Sequence, residues 1–413
     1  MKIKISTIIL SLLILMSFLI GFIYNEDSLG GAKNDYLYHL DYFYKFHEEF
    51  FNTFKNYGLD QQNNSVRNSP VFYILGSLLF EFRLPIISLK FINLGVTLLS
   101  CLIFYKCLVI KYGENNKNAY YLISLLILLS PSIRSLTFWP YPLLWAIYFF
   151  LISIFYYLKF EKNKDHSLKF NYALLNTIFL ALSAYLTPNF AVFSIYFFIN
   201  FYKYFKDKYP TIIILLLNLL IALPAVLFLI SHDFYLFKSE VFEIGNLQKY
   251  NISNKIIIIT SFLILFFMPF ANFKNLVELF YFKINQKFYL IVLFLLVNIY
   301  FFNFQSGAGG GIFFHISNIF ETNLIIFSIF VLSICLFHSH NLINTNNILL
   351  FLLLIIYNPQ FTIYYKYFDP LMIFIFLFLF QNIRFNFETM KVKLLIFYVL
   401  FLNLNLFKGL INY

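Results

Sequence analysis

Asp35, His39 and Tyr42 stand four and seven residues apart, the spacing that puts three side chains on one stripe of a helix. A carboxylate, an imidazole and a phenol placed together can take, hold and return a proton. They do so in a chain that is 61% hydrophobic and only 12% charged. Asp41 falls about 240° around the same helix, and with Glu48 and Glu49 it reads as a solvated face. Asp35 has a second reading, as the residue that caps the helix, because Asp is a preferred N-cap. His39 and His47 have no third ligand near them, so no metal site is expected and no cofactor is required. Among the few arginines, Arg134 in "PSIRSLTFWPYP" sits in a short turn between two apolar runs. A charge at that depth points either to function or to a side chain reaching for headgroups. Arg67 stands just before a short apolar run. Lys366 and Asp369, in "YYKYFDP", read as a local ion pair or a site pair. Tyr365 beside them is either a stacking platform or part of an interfacial aromatic belt.

These residues need elements to hold them. From Asp35 to about Tyr57 there is no Pro or Gly, and Leu40, Phe43, Phe50, Phe51 and Phe54 recur at helical spacing. The pattern predicts an amphipathic helix lying along a membrane surface and ending at Gly58. Pro70 opens a second short run, Val71 to Phe82, which at about 12 residues is too short to span and fits the interface. Both lie in a first outer loop, 25–85. The rest of the chain excludes a soluble domain, with mean hydropathy +0.76 and apolar runs along its whole length. The runs are continuous and do not alternate, which predicts helices and not a barrel. The expected fold is all-α: a polytopic membrane protein forming a single membrane domain over 1–413. About 13 transmembrane helices are expected, near 4–24, 86–108, 119–138, 142–159, 171–188, 190–205, 211–231, 256–273, 288–304, 319–337, 347–363, 369–385 and 392–408. The first follows Met1-Lys2-Ile3-Lys4 and reads as an uncleaved signal-anchor.

With the N-terminus in the cytoplasm, most of the 30 Lys and Arg residues collect in the inner loops. The net charge of +11 is then a topology signal, and nucleic acid is not among the expected partners. The three cysteines lie in or beside apolar runs and form no disulfide or zinc pattern. Gly307 to Gly311 is a glycine run without the Lys-Ser/Thr that a phosphate-cradling P-loop requires.

Three segments carry a family resemblance: Asn34-Asp35 soon after the first span, Ser69-Pro70-Val71-Phe72-Tyr73-Ile74-Leu75, and Arg83-Leu84-Pro85 before the next span. Together with the many spans and the large first outer loop, they resemble the GT-C glycosyltransferase superfamily. Its members include the protein mannosyltransferase-like and lipid A aminoarabinose transferase-like enzymes. The motifs cover about residues 1–110. This chain has Asn-Asp where an acidic pair is common, and Asn68 where the family pattern has His. The resemblance implies an inverting transfer of a hexosyl or pentosyl group from a polyprenyl-phosphate sugar to a glycan, lipid or protein acceptor. The site would lie on the outer, periplasmic face of a bacterial inner membrane. It implies Asp35 as the base on the acceptor hydroxyl, with a cation among Arg67, Arg134 and Lys366 stabilising the departing phosphate. His39, Tyr42, Tyr365 and Asp369 complete the substrate contacts. Two other readings stand beside it: a polymerase of lipid-linked repeat units, and a transporter or flippase.

Overall fold

The structure, a computed structural model, describes residues 5–59, 68–206, 208–235, 251–271, 286–305, 309–340, 342–383 and 385–411. Arg67 lies outside the described residues. Those described are helical, with no strand among them. The chain divides into two compact units, 1–239 with 387–413, and 240–386.

The first unit begins with α1 (Ile5–Ile23), α2 (Ala32–Glu48), α3 (Phe50–Asn56), α4 (Val71–Glu81), α5 (Ile87–Tyr112) and α6 (Lys117–Leu126). It continues with α7 (Pro131–Phe138), α8 (Pro142–Lys162), α9 (His166–Leu186), α10 (Phe193–Phe205) and α11 (Lys208–Ser231). The second unit holds α12 (Ile252–Phe267), α13 (Gln286–Tyr300), α14 (Gly311–Ile319), α15 (Leu324–Ser339), α16 (Thr345–Tyr357) and α17 (Leu371–Phe374). The last helix, α18 (Phe387–Ile411), returns to the first unit, where Phe387 packs on Tyr112 and Tyr120 with ring centroids 4.7 and 4.8 Å away.

Among the described residues, five helices are long and apolar enough to cross a membrane: α1, α5, α8, α11 and α18. The bent pair 117–129 and 131–138, which turns by 61° at Ser130-Pro131, makes a sixth if it is one span. The packing of α1 and α5 is inverted relative to a soluble protein. On α1 the inward face is Thr7, Ser11, Ile14, Phe18 and Gly21, while Ile8, Ile9, Leu12, Leu13 and Met16 are exposed. On α5 the buried set includes Asn93, Thr97, Ser100 and Cys101, and Leu98, Leu99 and Leu102 face outward. Small and weakly polar residues at helix contacts, with large aliphatics outside, are what lipid as the solvent selects. The buried polar groups are bonded between helices. Asn93 donates to the Leu136 carbonyl (3.2 Å) and accepts from the Trp145 indole (2.7 Å), while Thr97 and Thr137 share a bond of 2.7 Å.

Two helices, not one, occupy the stretch expected to run unbroken to Tyr57. The break falls at Glu49, where φ is −134° and ψ 56°. The Glu49 N–H and the Thr53 hydroxyl both donate to the Lys45 carbonyl (3.0 and 2.9 Å), closing α2 before α3 begins. The phenylalanines expected to share one anchoring face divide as well. Phe43 is fully buried against α4, with its ring 5.4 Å from that of Phe72, whereas Phe51 is 86% exposed. Gly76 allows this contact, because a Cβ on it would run into the Phe43 ring.

Candidate functional site

The site is built from the start of α2 upward. Asp27 closes the N-terminus of α2: its carboxylate accepts from the backbone N–H of Gly30 (3.1 Å), Gly31 (2.8 Å) and Lys33 (3.2 Å). The N-cap reading of Asp35 is therefore corrected. The helix starts at Ala32, and Asp35 lies within its first turn, half-buried, where the helix dipole favours a carboxylate. The segment before α2 is fixed on α7. Ser28 donates to the Pro131 carbonyl (2.9 Å), and the Leu29 N–H donates to the Ser135 hydroxyl (2.9 Å).

From Asp35 the stripe runs inward. His39 is 3% exposed and Tyr42 is 7% exposed. His39 Nδ1 and the Tyr73 hydroxyl share a hydrogen bond of 2.8 Å. The imidazole lies edge-on to Tyr141, with centroids 4.7 Å apart. Tyr42 packs on Tyr73 (5.2 Å) and on Tyr57 (5.6 Å). The Asn68 amide reaches the Tyr73 hydroxyl at 3.4 Å, and its backbone carbonyl accepts from both Tyr57 and Tyr235 (3.0 Å each). Burial pushes the Tyr57, Tyr73 and Tyr235 phenols up, with further upward contributions from neighbouring phenols, so all three stay protonated.

An apolar pocket of about 550 Å³ adjoins this cluster. Its wall comes from α4, α9 and α11, including Ile74, Leu180, Ala184, Ala222 and Leu229, and Ser69 and Tyr235 also line it. Tyr235 thus belongs to both the pocket and the polar cluster. Leu219 and Val226, on the same wall, are about half exposed, so the pocket opens toward the surface of α11.

Arg134 does not lie in an open turn. It is 3% exposed inside α7, and its Nε donates to Glu26 (2.8 Å). Its Nη2 also pairs with Glu26 and donates to the Ser17 carbonyl (3.0 Å). Gly21 makes the room, since a Cβ there would stand 2.5 Å from both Arg134 Nη2 and the Glu26 carboxylate.

Lys366, Asp369 and Tyr365 belong to the second unit. Lys366 lies near the Tyr364 and Tyr367 rings (5.5 and 5.7 Å to their centroids), and Asp369 is fully buried. That unit also buries Lys255, which donates to the Asn358 carbonyl (2.7 Å). Among the described residues no group of His, Cys, Asp and Glu is arranged to hold a metal.

Sequence reasoning placed Tyr73 only within a motif and gave no role to Asp27, Glu26 or Tyr235. Asp27 left a signal, an acid three residues before a glycine pair; the others depend on contacts from distant helices. No protein-family model matches the chain, and neither a curated protein nor a solved structure is significantly similar to it.

Proposed function

We propose that the chain is an integral-membrane glycosyltransferase of GT-C type, transferring a sugar from a polyprenyl-phosphate donor to an acceptor on the outer, periplasmic face of a bacterial inner membrane. In this reading the membrane domain carries about 13 spans, and α2 to α4 lie at its outer interface. The observation that carries it is the apolar pocket of about 550 Å³ abutting the buried His39–Tyr73–Asn68 cluster in the first loop. A pocket walled by aliphatic side chains and open on α11 suits a segment of an isoprenoid chain. The adjoining polar groups suit a headgroup. Asp35 takes the proton of the acceptor hydroxyl, whose oxygen attacks the anomeric carbon as the bond to the lipid phosphate breaks. The phosphate leaves with the electron pair, and the configuration inverts. His39 and Tyr42 orient the substrate, and no metal is required.

Membranes containing the full chain, supplied with labelled polyprenyl-phosphate sugars, test the proposal. Transfer is expected from one of them, and Asp35→Ala is expected to lower it by about a hundredfold or more. Full activity in that variant would remove Asp35 as the base.

A second reading, a transporter or flippase, is favoured by one observation. The second unit buries Lys255, Asn358 and Asp369, with the non-helical stretch after α16 among them. Interrupted helices with buried polar groups are typical of transport sites. Substrate flux into sealed vesicles that is lost in Lys255→Met, without any sugar transfer, would select it.

A further inference from the structure

With Arg134 closed by Glu26, the question of which cation meets a phosphate near Asp35 has a different answer. Lys90, in the first turns of α5, is half-buried. Its ammonium donates to the Asn25 side-chain carbonyl (2.7 Å) and lies 4.5 Å from the centroid of the Trp139 ring. Among the described residues it makes no ion pair. The two acids that follow Asn25 are already engaged, Glu26 by Arg134 and Asp27 by three backbone N–H groups. A neutral amide and an indole therefore position a positive charge without cancelling it. Partly desolvated and uncompensated, an ammonium with unused donors gains most from an anion that accepts several hydrogen bonds. Trp139 also carries the ring of Tyr36, 5.8 Å away, and Tyr36 directly follows Asp35. Trp139 thus links Lys90 to the first turns of α2 through Tyr36.

We infer that Lys90, seated by Asn25 and Trp139, is a phosphate-binding group, and that its ligand is the phosphate monoester of a lipid. The identity of that lipid rests on the transfer reading above; the binding of phosphate does not.

Trp139 is its own reporter, because the chain has only two tryptophans. The full chain carrying Trp145→Phe is placed in nanodiscs and titrated with a short-chain prenyl monophosphate. In parallel it is titrated with inorganic phosphate, and the phosphatidylglycerol content of the discs is raised in steps. The expected result is a saturable change in Trp139 emission with the prenyl monophosphate alone. Lys90→Ala should raise its Kd about tenfold or more, and Lys90→Arg should stay within about threefold. Thermal melting of each variant controls for folding. An unchanged Kd in Lys90→Ala, or no saturable change with any of the three probes, overturns the inference. An equal response to phosphatidylglycerol or to inorganic phosphate overturns the monoester and leaves Lys90 as a site for that other source. Binding that depends on Lys90 without sugar transfer from any donor sinks the transfer reading and keeps the site. Transfer that persists with Lys90-independent binding does the reverse.

Discussion

A guanidinium that is 3% exposed, held on Nε, Nη1 and Nη2 by Glu26 and Ser17, is part of the frame that positions the first loop. Arg134→Ala is expected to destabilise the protein by about 3–5 kcal/mol, because it strands the Glu26 carboxylate in a largely buried place. The measurement is thermal unfolding in detergent, and the surviving folded protein should keep its KM for donor. A raised KM with unchanged melting would restore Arg134 as a ligand for phosphate. Tyr73 gives a second test at this scale. Its hydroxyl bridges His39 and Asn68, so Tyr73→Phe leaves a buried imidazole without that partner and should cost about 1–3 kcal/mol. Since burial holds the phenol protonated, the tyrosinate absorbance gained in mildly alkaline conditions should be the same in the parent protein and in Tyr73→Phe.

At the scale of elements, the contact between α2 and α4 decides where the Asp35–His39–Tyr42 stripe points. It depends on Gly76, whose missing side chain lets Phe43 seat on α4. Gly76→Val should push the helices apart, costing about 1–3 kcal/mol and exposing α2 to limited proteolysis near Glu49. Unchanged protease resistance would remove this contact as the clamp. Much of the pair was legible in advance. Pro70 opens α4 as its position suggests, and the spacing of Asp35, His39 and Tyr42 does bring the latter two to one buried cluster. The start of α2 was not legible, because its cap comes from Asp27 across a turn docked on α7 through Ser28 and Ser135. The break at Glu49 carries no Pro or Gly; it is made by Thr53 bonding back to Lys45. Lys90 was unreadable for the same reason, since Asn25 and Trp139 reach it only through the fold.

For the whole molecule, composition alone gave the membrane class, since leucine-covered outer faces on α1, α5 and α11 follow from the same apolar excess. Among the described residues five helices meet the length and hydropathy needed to span, and Val71–Glu81, Ile252–Phe267 and Leu324–Ser339 are apolar but shorter. A reporter fused at Gly113, after α5, is expected in the cytoplasm, and one in the loop 25–31 on the opposite side. Gly113 found outside would invert the proposed topology and move Asp35 to the inner face.

The Arg134–Glu26 pair also has a meaning for how the protein is made. Its members are 108 residues apart, so the ribosome delivers Glu26 well before its partner. Until α7 is made, the Glu26 carboxylate, just beyond the first helix, has no guanidinium beside it. That carboxylate is satisfied only when α7 arrives and Gly21 admits the guanidinium. Loss of the pair, as in Arg134→Ala, is expected to lower the amount of full-length protein recovered from membranes, which quantitative immunoblotting measures.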